Sequence, residues 1–417
     1  MRVSTVTMFE QSTASINRQQ NEFLKVSQQI ASGRRVVNPS DDPQAASRAV
    51  GVDQSKAMTQ QYADARVSAR NSLAQTESIL NSISDAVTSA KALLIQASSD
   101  TLSDADRESI ASELKGIYET MLGQANATDG NGRYLFGGYK DNAPPFVKSA
   151  DGNVEYTGDV SAREQRVDSS RLMPVNENGV TIFQSVPSGA GYIAEASVDN
   201  QGSVTFSGPQ IVDVNDAGYG ESYRIVFNED NTVESGFSYQ VQRFEDGAWL
   251  EDDADLVASG EYTGEGQQLN FGGVNVTLSG TPAEGDEILI TQAGSDERGA
   301  DLFRTMEAAI RVLETPAEND TQKAALRNTL NTSMRDLDNA LDNVLTVRAS
   351  AGARLNELDV IDAVGSNRML NYEQTLSDLV DLDYAAAISE YSLRQVGLQA
   401  AQQAFVNIKG MSLFNYM

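Results

Sequence analysis

The chain contains no cysteine and no histidine. Disulfides, thiolate nucleophiles, zinc held by Cys or His, and Ser-His-Asp triads are excluded. A histidine pH switch is excluded too. With no thiol to protect, cysteine usage leaves the redox compartment open. Basic residues are scarce: 31 Lys and Arg stand against 59 Asp and Glu in 417 residues, for a net charge of −28. Phosphate contacts need clustered Lys and Arg, so neither nucleic acid nor an anionic membrane surface is expected as a partner. Long apolar runs are missing as well. Nothing approaches the roughly 18 residues that read as a membrane span, so no membrane insertion is expected. The opening MRVSTVTMFEQSTASINRQQ has no apolar core and no small-residue cleavage site of a signal peptide. The expectation is either a cytoplasmic protein or export by a route that cleaves no signal.

Proline is absent between Pro43 and Pro144 and again after Pro316, whereas 20 of the 32 glycines fall between residues 141 and 300. That same stretch carries 28 acidic and 7 basic residues, so most of the charge sits there. The length predicts two to four domains. Three are read: residues 1–40 with 380–417 as a terminal coiled-coil domain, 41–140 with 300–379 as a helical rod, and 141–299 as an acidic β-rich domain. Within the last, Ser222–Phe227, Val241–Phe244 and Asn275–Leu278 are short, β-branched or aromatic, and bounded by Gly, Asn or Asp. They predict a small antiparallel β domain. The fold class expected is α plus β: a long antiparallel helical bundle from both termini with an inserted antiparallel β domain.

The flanks carry heptad seams. Ala69, Leu73, Thr76, Leu80, Ile83, Val87, Ala90, Leu94 and Ala97 alternate in steps of four and three, with Thr76 alone polar. A longer series runs from Leu330 through Leu337, Val344, Ala351 and Leu358 to Leu379, broken by Arg348, Asp362 and Gly365. A helix of that length, roughly 75 Å, cannot bury its stripe inside a compact globule. It needs partner helices, and the Ala69–Ala97 seam is the obvious one. After Leu379 the register jumps by five residues, which predicts a junction near residue 380.

The two ends are weaker. Phe9, Ile16, Phe23 and Ile30 recur every seven residues near the start, and Tyr384, Tyr391, Leu398 and Phe405 near the end. The intervening seam positions are mostly Thr, Gln or Ser. Such a pair buries roughly half the apolar area of an ordinary coiled coil, too little to offset ordering entropy. The termini are therefore expected to stay loose in the monomer and to order against copies of themselves or related subunits, with those eight residues carrying the subunit interaction.

Other features carry no chemistry. The acidic run Glu251, Asp252, Asp253, Asp255 lacks the alternation, central Gly and distal Glu of a calcium loop. Asp129–Gly132 has no preceding strand and no Lys-Ser or Lys-Thr, so it reads as a turn and not a phosphate cradle. No catalytic residue, metal or cofactor is expected.

Four stretches resemble the bacterial flagellin family. Ala31–Ala46, ASGRRVVNPSDDPQAA, resembles the segment joining the first two flagellin helices. Asp381–Gln395, DLDYAAAISEYSLRQ, resembles the opening of the last one. Asn131–Phe146, NGRYLFGGYKDNAPPF, resembles the hook-associated branch of that family, as do the prolines flanking Ser40, Asp41 and Asp42 and the aromatic end Phe414, Asn415, Tyr416. Gly272–Ile290, GGVNVTLSGTPAEGDEILI, is similar to a β-hairpin segment of hook-associated proteins. The likeness covers residues 1–146 and 300–417 well and the middle patchily. It implies a structural adaptor at the hook–filament junction of the extracellular flagellum, secreted unfolded by type III export. It also implies that the terminal helices line an inner tube and that the β domain points outward. Implied partners are copies of the chain in a ring, the first hook-associated protein, flagellin, and an export chaperone on the C-terminal region. Two other readings stand beside it: a filament flagellin, and an acidic carbohydrate-active or adhesive β module on a helical stalk.

Overall fold

A computed structural model describes residues 5–150, 152–252 and 254–414. Asp253, Asn415 and Tyr416 lie outside the described residues. Seven helices are seen among them: α1 (Thr5–Ser32), α2 (Pro43–Ala97), α3 (Asp104–Ala125), α4 (Gly179–Phe183), α5 (Leu302–Glu314), α6 (Asp320–Val380) and α7 (Tyr384–Phe414). The register slip after Leu379 falls where α6 ends and α7 begins. The chain divides into two compact units, residues 67–358 and residues 1–66 with 359–417. Both α2 and α6 run through the division.

In the larger unit the α2 seam is buried at every position from Ala69 to Ala97. Its members from Leu80 to Ala97 join Leu330, Leu337, Val344 and Val347 of α6 in one core, together with the apolar faces of α3 and α5. Ser103 and Asp106 form a capping box that starts α3, and Asp301 accepts from the Phe303 and Arg304 amides to start α5. The RYLFGG stretch drives an aromatic wedge into this core. Leu135 and Phe136 are fully buried, and the Phe136, Phe146, Phe183 and Phe303 rings pack with centroids 5.1–6.0 Å apart. Gly138 at φ +63° makes the turn possible: a Cβ there would sit 2.3 Å from the Asp159 carbonyl oxygen.

The inserted strands form four antiparallel sheets. Two are hairpins, β1 (Phe146–Lys148) with β2 (Val154–Tyr156) and β3 (Glu164–Asp168) with β4 (Arg171–Pro174). The next strands in sequence are β5 (Tyr192–Ala196), β6 (Thr205–Ile211), β7 (Tyr223–Glu229), β8 (Phe237–Glu245) and β9 (Ala248–Trp249). They are followed by β10 (Ala258–Glu261), β11 (Gln267–Phe271), β12 (Val274–Ser279) and β13 (Glu287–Gln292). One sheet runs β10-β8-β7-β13-β5 with β9 on β8, and another runs β11-β12-β6. They enclose a second core of Tyr223, Phe227, Tyr262, Phe271, Val276 and Ile290 among others. The three segments expected as strands lie in β7, β8 and β12.

The Gly272–Ile290 stretch corrects its expectation. β12 and β13 do not pair as a hairpin; they belong to different sheets. The link between them is held open by Asp286, whose buried carboxylate accepts from the Gln201, Gly202 and Ala283 amides. Those bonds tie the link to the β5–β6 loop and carry the chain from one sheet to the other.

The α6 seam faces inward, with no member exposed. Its polar breaks are matched from α2. In the larger unit Arg348 pairs with Glu77 at 2.9 Å. In the terminal unit Arg66, 3% exposed, pairs with Asp362, and Gly365 leaves the space its guanidinium fills: a Cβ there would lie 2.7 Å from it.

Thr76, the polar member of the α2 seam, is buried and its hydroxyl has no hydrogen-bond partner. Replacing that hydroxyl by an isosteric methyl removes an uncompensated desolvation cost. Thr76→Val should raise stability by about 1 kcal/mol, read from the denaturant midpoint at unchanged m-value. A lower midpoint would contradict this reading.

Candidate assembly surface at the terminal helices

In the terminal unit α1 and α7 pack antiparallel. The Phe9 and Phe405 rings meet at 5.2 Å between centroids, and Phe23 and Tyr391 at 4.8 Å. The same register places Ile16 opposite Leu398 and Ile30 opposite Tyr384. The Tyr384 hydroxyl lies against Gly33, where a Cβ would approach it to 2.9 Å. Arg394 of α7 pairs with Glu22 of α1 and, at 3.1 Å, with Glu390 of its own helix. All eight residues expected at the subunit interaction thus sit along one seam within the chain. Six of them are half-buried, and Phe9 and Tyr384 are exposed.

Sequence reasoning missed the best-buried members, Val26 and Ala387. It also missed a second apolar face. At 3.6 residues per turn Leu393 and Val396 lie on the side of α7 opposite Tyr391 and Leu398. Both are exposed, as are Ile388, Val406 and, on α1, Leu24. Between Tyr384 and Asn407 the helix carries two charges, Glu390 and Arg394. Apolar residues on two opposite faces of one helix make both faces candidates for contact. That absence of charge was the signal available in the sequence.

The turn that joins α1 to α2 is built against the turn that joins α6 to α7. Gly33, at φ +69°, lets the chain leave α1. Its carbonyl accepts from the Leu382 amide at 3.0 Å, and the Arg35 amide donates to Val380 at 2.8 Å. The Arg35 guanidinium donates to the Leu379 carbonyl at 2.6 Å and pairs with Asp42 at 3.1 Å. Asp41 accepts from the Val37 and Asn38 amides and pairs with Lys25 at 3.1 Å. Asp42 accepts from the Ala45 amide ahead of Pro43, which caps α2, and Asp383 does the same for α7 through Ala385 and Ala386. Both the Asp-Asp segment and the Asp-Tyr-Ala segment are therefore helix starts locked to one joint.

The joint titrates. The Asn38 amide and then Lys25 hold the Asp41 carboxyl below the ordinary carboxylate value; the Ala45 amide and then Arg35 do so for Asp42. A lowered folded-state value stabilises the joint above about pH 4, and that contribution is lost as pH falls through the folded-state values. NMR titration should show the Val37, Asn38 and Ala45 amides shifting together in acid below pH 4. In Asp41→Asn/Asp42→Asn the step should vanish; amides flat from pH 7 to 3 in the unsubstituted chain would refute the joint.

Residues 3–141 match the family model of the bacterial flagellin N-terminal helical region. Flagellar hook-associated protein 3 of Escherichia coli is 33% identical over 415 residues, covering 99% of both chains. Its counterpart in Salmonella typhimurium is 31% identical over the same coverage. Polar flagellin C of Vibrio parahaemolyticus is 28% identical over 180 residues, 42% of this chain and 43% of its own. The crystal structure of FlgL from Xanthomonas campestris superimposes with a TM-score of 0.64 at 31% identity, over 78% of this chain and 99% of that one. Flagellar hook associated protein-3 from Legionella pneumophila gives 0.66 at 26% identity, over 79% and 98%. No helix among the described residues is long and apolar enough to cross a membrane. Matched over nearly its whole length by two such relatives and sharing the fold of two others, the chain belongs to the flagellar hook-associated protein 3 family.

Proposed function

We propose that this chain is the structural adaptor of the bacterial flagellum that joins hook to flagellin filament. It is a flagellar structural protein and not an enzyme. The observation that carries the reading is the terminal pair: one apolar face of α7 is closed by α1, and the other, with Leu393 and Val396, is left open. An open face at both chain ends suits a subunit that stacks on copies and on relatives through heterologous contacts. Its neighbours in this reading are other copies in a ring, the first hook-associated protein on the hook side and flagellin on the filament side. Secretion is unfolded, by the type III route, with a chaperone on the C-terminal region. Residues 1–40 with 380–417 form the inner tube, 41–140 with 300–379 the rod, and 141–299 the outer domain. The adaptor reading is favoured over a filament flagellin because Polar flagellin C matches 42% of the chain and flagellar hook-associated protein 3 matches 99%.

The weak seam sets the assembly behaviour. With the eight seam residues no more than half-buried, α1 and α7 are held loosely in the monomer and tighten in the ring. Hydrogen exchange on the free protein should find residues 7–30 and 384–405 poorly protected and the β12 and β13 amides strongly protected. Equal protection in both regions would defeat the idea. Phe23→Asp or Leu398→Asp should abolish incorporation into flagella and leave the denaturation of the larger unit unchanged; normal incorporation would refute the assignment. Purified protein added to flagellin seeds should not elongate them, and long filaments made of this chain alone would favour the flagellin reading.

A further inference from the structure

The larger unit carries an apolar socket with an unpaired cation and, elsewhere, an apolar knob with an unpaired anion. The socket is a cleft of about 230 Å³ between the β5–β6 loop and the helices α5 and α6, lined by Ala196, Val198, Val204, Ala308, Val312 and Ala325 among others. Val198 stands at its mouth, 93% exposed. Arg311 lines the cleft and is exposed. The carboxylates nearest to it along α5 are engaged: Glu307 accepts from the Tyr118 hydroxyl, and Glu314 pairs with Lys115. Among the described residues Arg311 makes no ion pair. Arg311 belongs to α5, outside the acidic β-rich stretch, and offers an exposed guanidinium at the rim of that cleft.

The knob is the Ile211-Val212-Asp213-Val214 loop that follows β6. Ile211, Val212 and Val214 are all exposed. Asp213 accepts from the Asn215 amide and makes no ion pair among the described residues. The loop is preformed. The Val212 and Asp213 amides both donate to the Gly273 carbonyl, and the Asp213 carbonyl is so close to Gly273 that a Cβ there would sit 2.0 Å away. Knob and socket lie at opposite ends of β6, whose seven residues separate them by roughly 20 Å. One chain cannot fill its own socket.

We infer that the knob of one copy seats in the socket of the next, with Val212 and Val214 in the cleft and Asp213 against Arg311. The contact is head-to-tail, the kind that propagates around or along a ring instead of closing a dimer. It rests on the adaptor reading for its setting, because the two patches meet only where copies are held side by side. The acidic surroundings of the knob favour its approach to a cation over its approach to another acidic surface.

The chain has no native thiol, so engineered ones report cleanly. Val212→Cys/Ala308→Cys is expressed in cells lacking the native protein, and isolated flagella are treated with a short thiol–thiol cross-linker. A ladder of cross-linked dimers and higher species is expected from flagella and none from dilute monomer. Adding Arg311→Asp should lower the ladder roughly tenfold, and Asp213→Arg in the same chain should restore it. Immunogold labelling of the hook–filament boundary reads incorporation separately. Labelled boundaries without a ladder, a ladder from monomer, or failed restoration would overturn the contact and leave the adaptor reading intact. Unlabelled boundaries would overturn the adaptor reading and the contact with it.

Discussion

In the larger unit, α6 has to satisfy two neighbours of opposite chemistry at once. One face presents Leu330, Leu337, Val344 and Ala351 to the helical core. The adjoining face presents a row of polar side chains to the backbone of the inserted β domain. Asn328 accepts from the Phe206 amide at 3.2 Å and donates to the Val204 carbonyl at 2.8 Å. Thr332 donates to the Ala194 carbonyl at 2.7 Å, and Arg335 to Pro209 at 3.1 Å. Further along, Asn343 donates to both Thr181 and Ile182. β6 and β5 are edge strands of their sheets, so their outward backbone groups have no strand to pair with. A buried unpaired amide or carbonyl costs about 1–3 kcal/mol, and an open edge invites pairing with another chain. The helix stands in for the missing strand. Arg298 closes the same arrangement: 5% exposed, it bridges Asp336 on α6 to Glu195 on β5. The outer domain is thus fixed to its helix by polar bonds that a sliding or rotated helix would break all at once.

The terminal unit is built on the opposite principle. Helices α1 and α7 share a seam whose expected members are half-buried or exposed, and a dense set of polar bonds joins Gly33–Asp42 to Leu379–Asp383. Polar bonds are concentrated where the chain turns, and the seam proposed above to meet other copies has few. If the subunit is exported unfolded and orders on contact, as proposed above, a strong internal pair would gain it nothing, because each kcal/mol held within the monomer is unavailable to assembly. The acidic outer domain complements this. With a net −21 in that stretch, copies approach one another only where specific apolar or charged contacts outweigh repulsion.

Much of this was legible in the residues, for a reason that also explains what was not. Apolar periodicity reports burial directly, so the Ala69–Ala97 and Leu330–Leu379 seams, the slip after Leu379 and the alternating strands could be read one residue at a time. Side chain to backbone bonds have no period. Asn328, Thr332 and Asn343 look like solvated positions until a sheet edge is laid beside them. The error at Gly272–Ile290 has another source. The hairpin expected there is implied by a likeness to hook-associated proteins, and the long-range bonds of Asp286 to the β5–β6 loop accompany the passage of the chain from one sheet to the other. The eight terminal seam residues were found by their seven-residue spacing. The open face of α7 has no such spacing: Leu393 and Val396 stand among Arg, Gln and Ser and carry no repeat.

The breaks in the α6 seam show how a long apolar stripe is kept in one register. A purely apolar pair of helices can slide by seven residues and lose little, since each seam position meets another of its kind. Arg66 prevents that in the terminal unit. Its guanidinium is buried, its carboxylate Asp362 stands across the seam, and Gly365 one turn on supplies the volume it occupies. Shifted by a heptad, the arginine would meet side chains in place of that gap and leave its carboxylate behind. An unpaired buried charge costs about 3–5 kcal/mol, more than the slide can recover elsewhere. In the larger unit the half-exposed Arg348–Glu77 pair adds a weaker bias toward the same register from the other helix. Residues that look like flaws in the heptad pattern are therefore what make the pattern select a single alignment, and a single alignment is what a subunit needs if every copy is to present the same surface to the next.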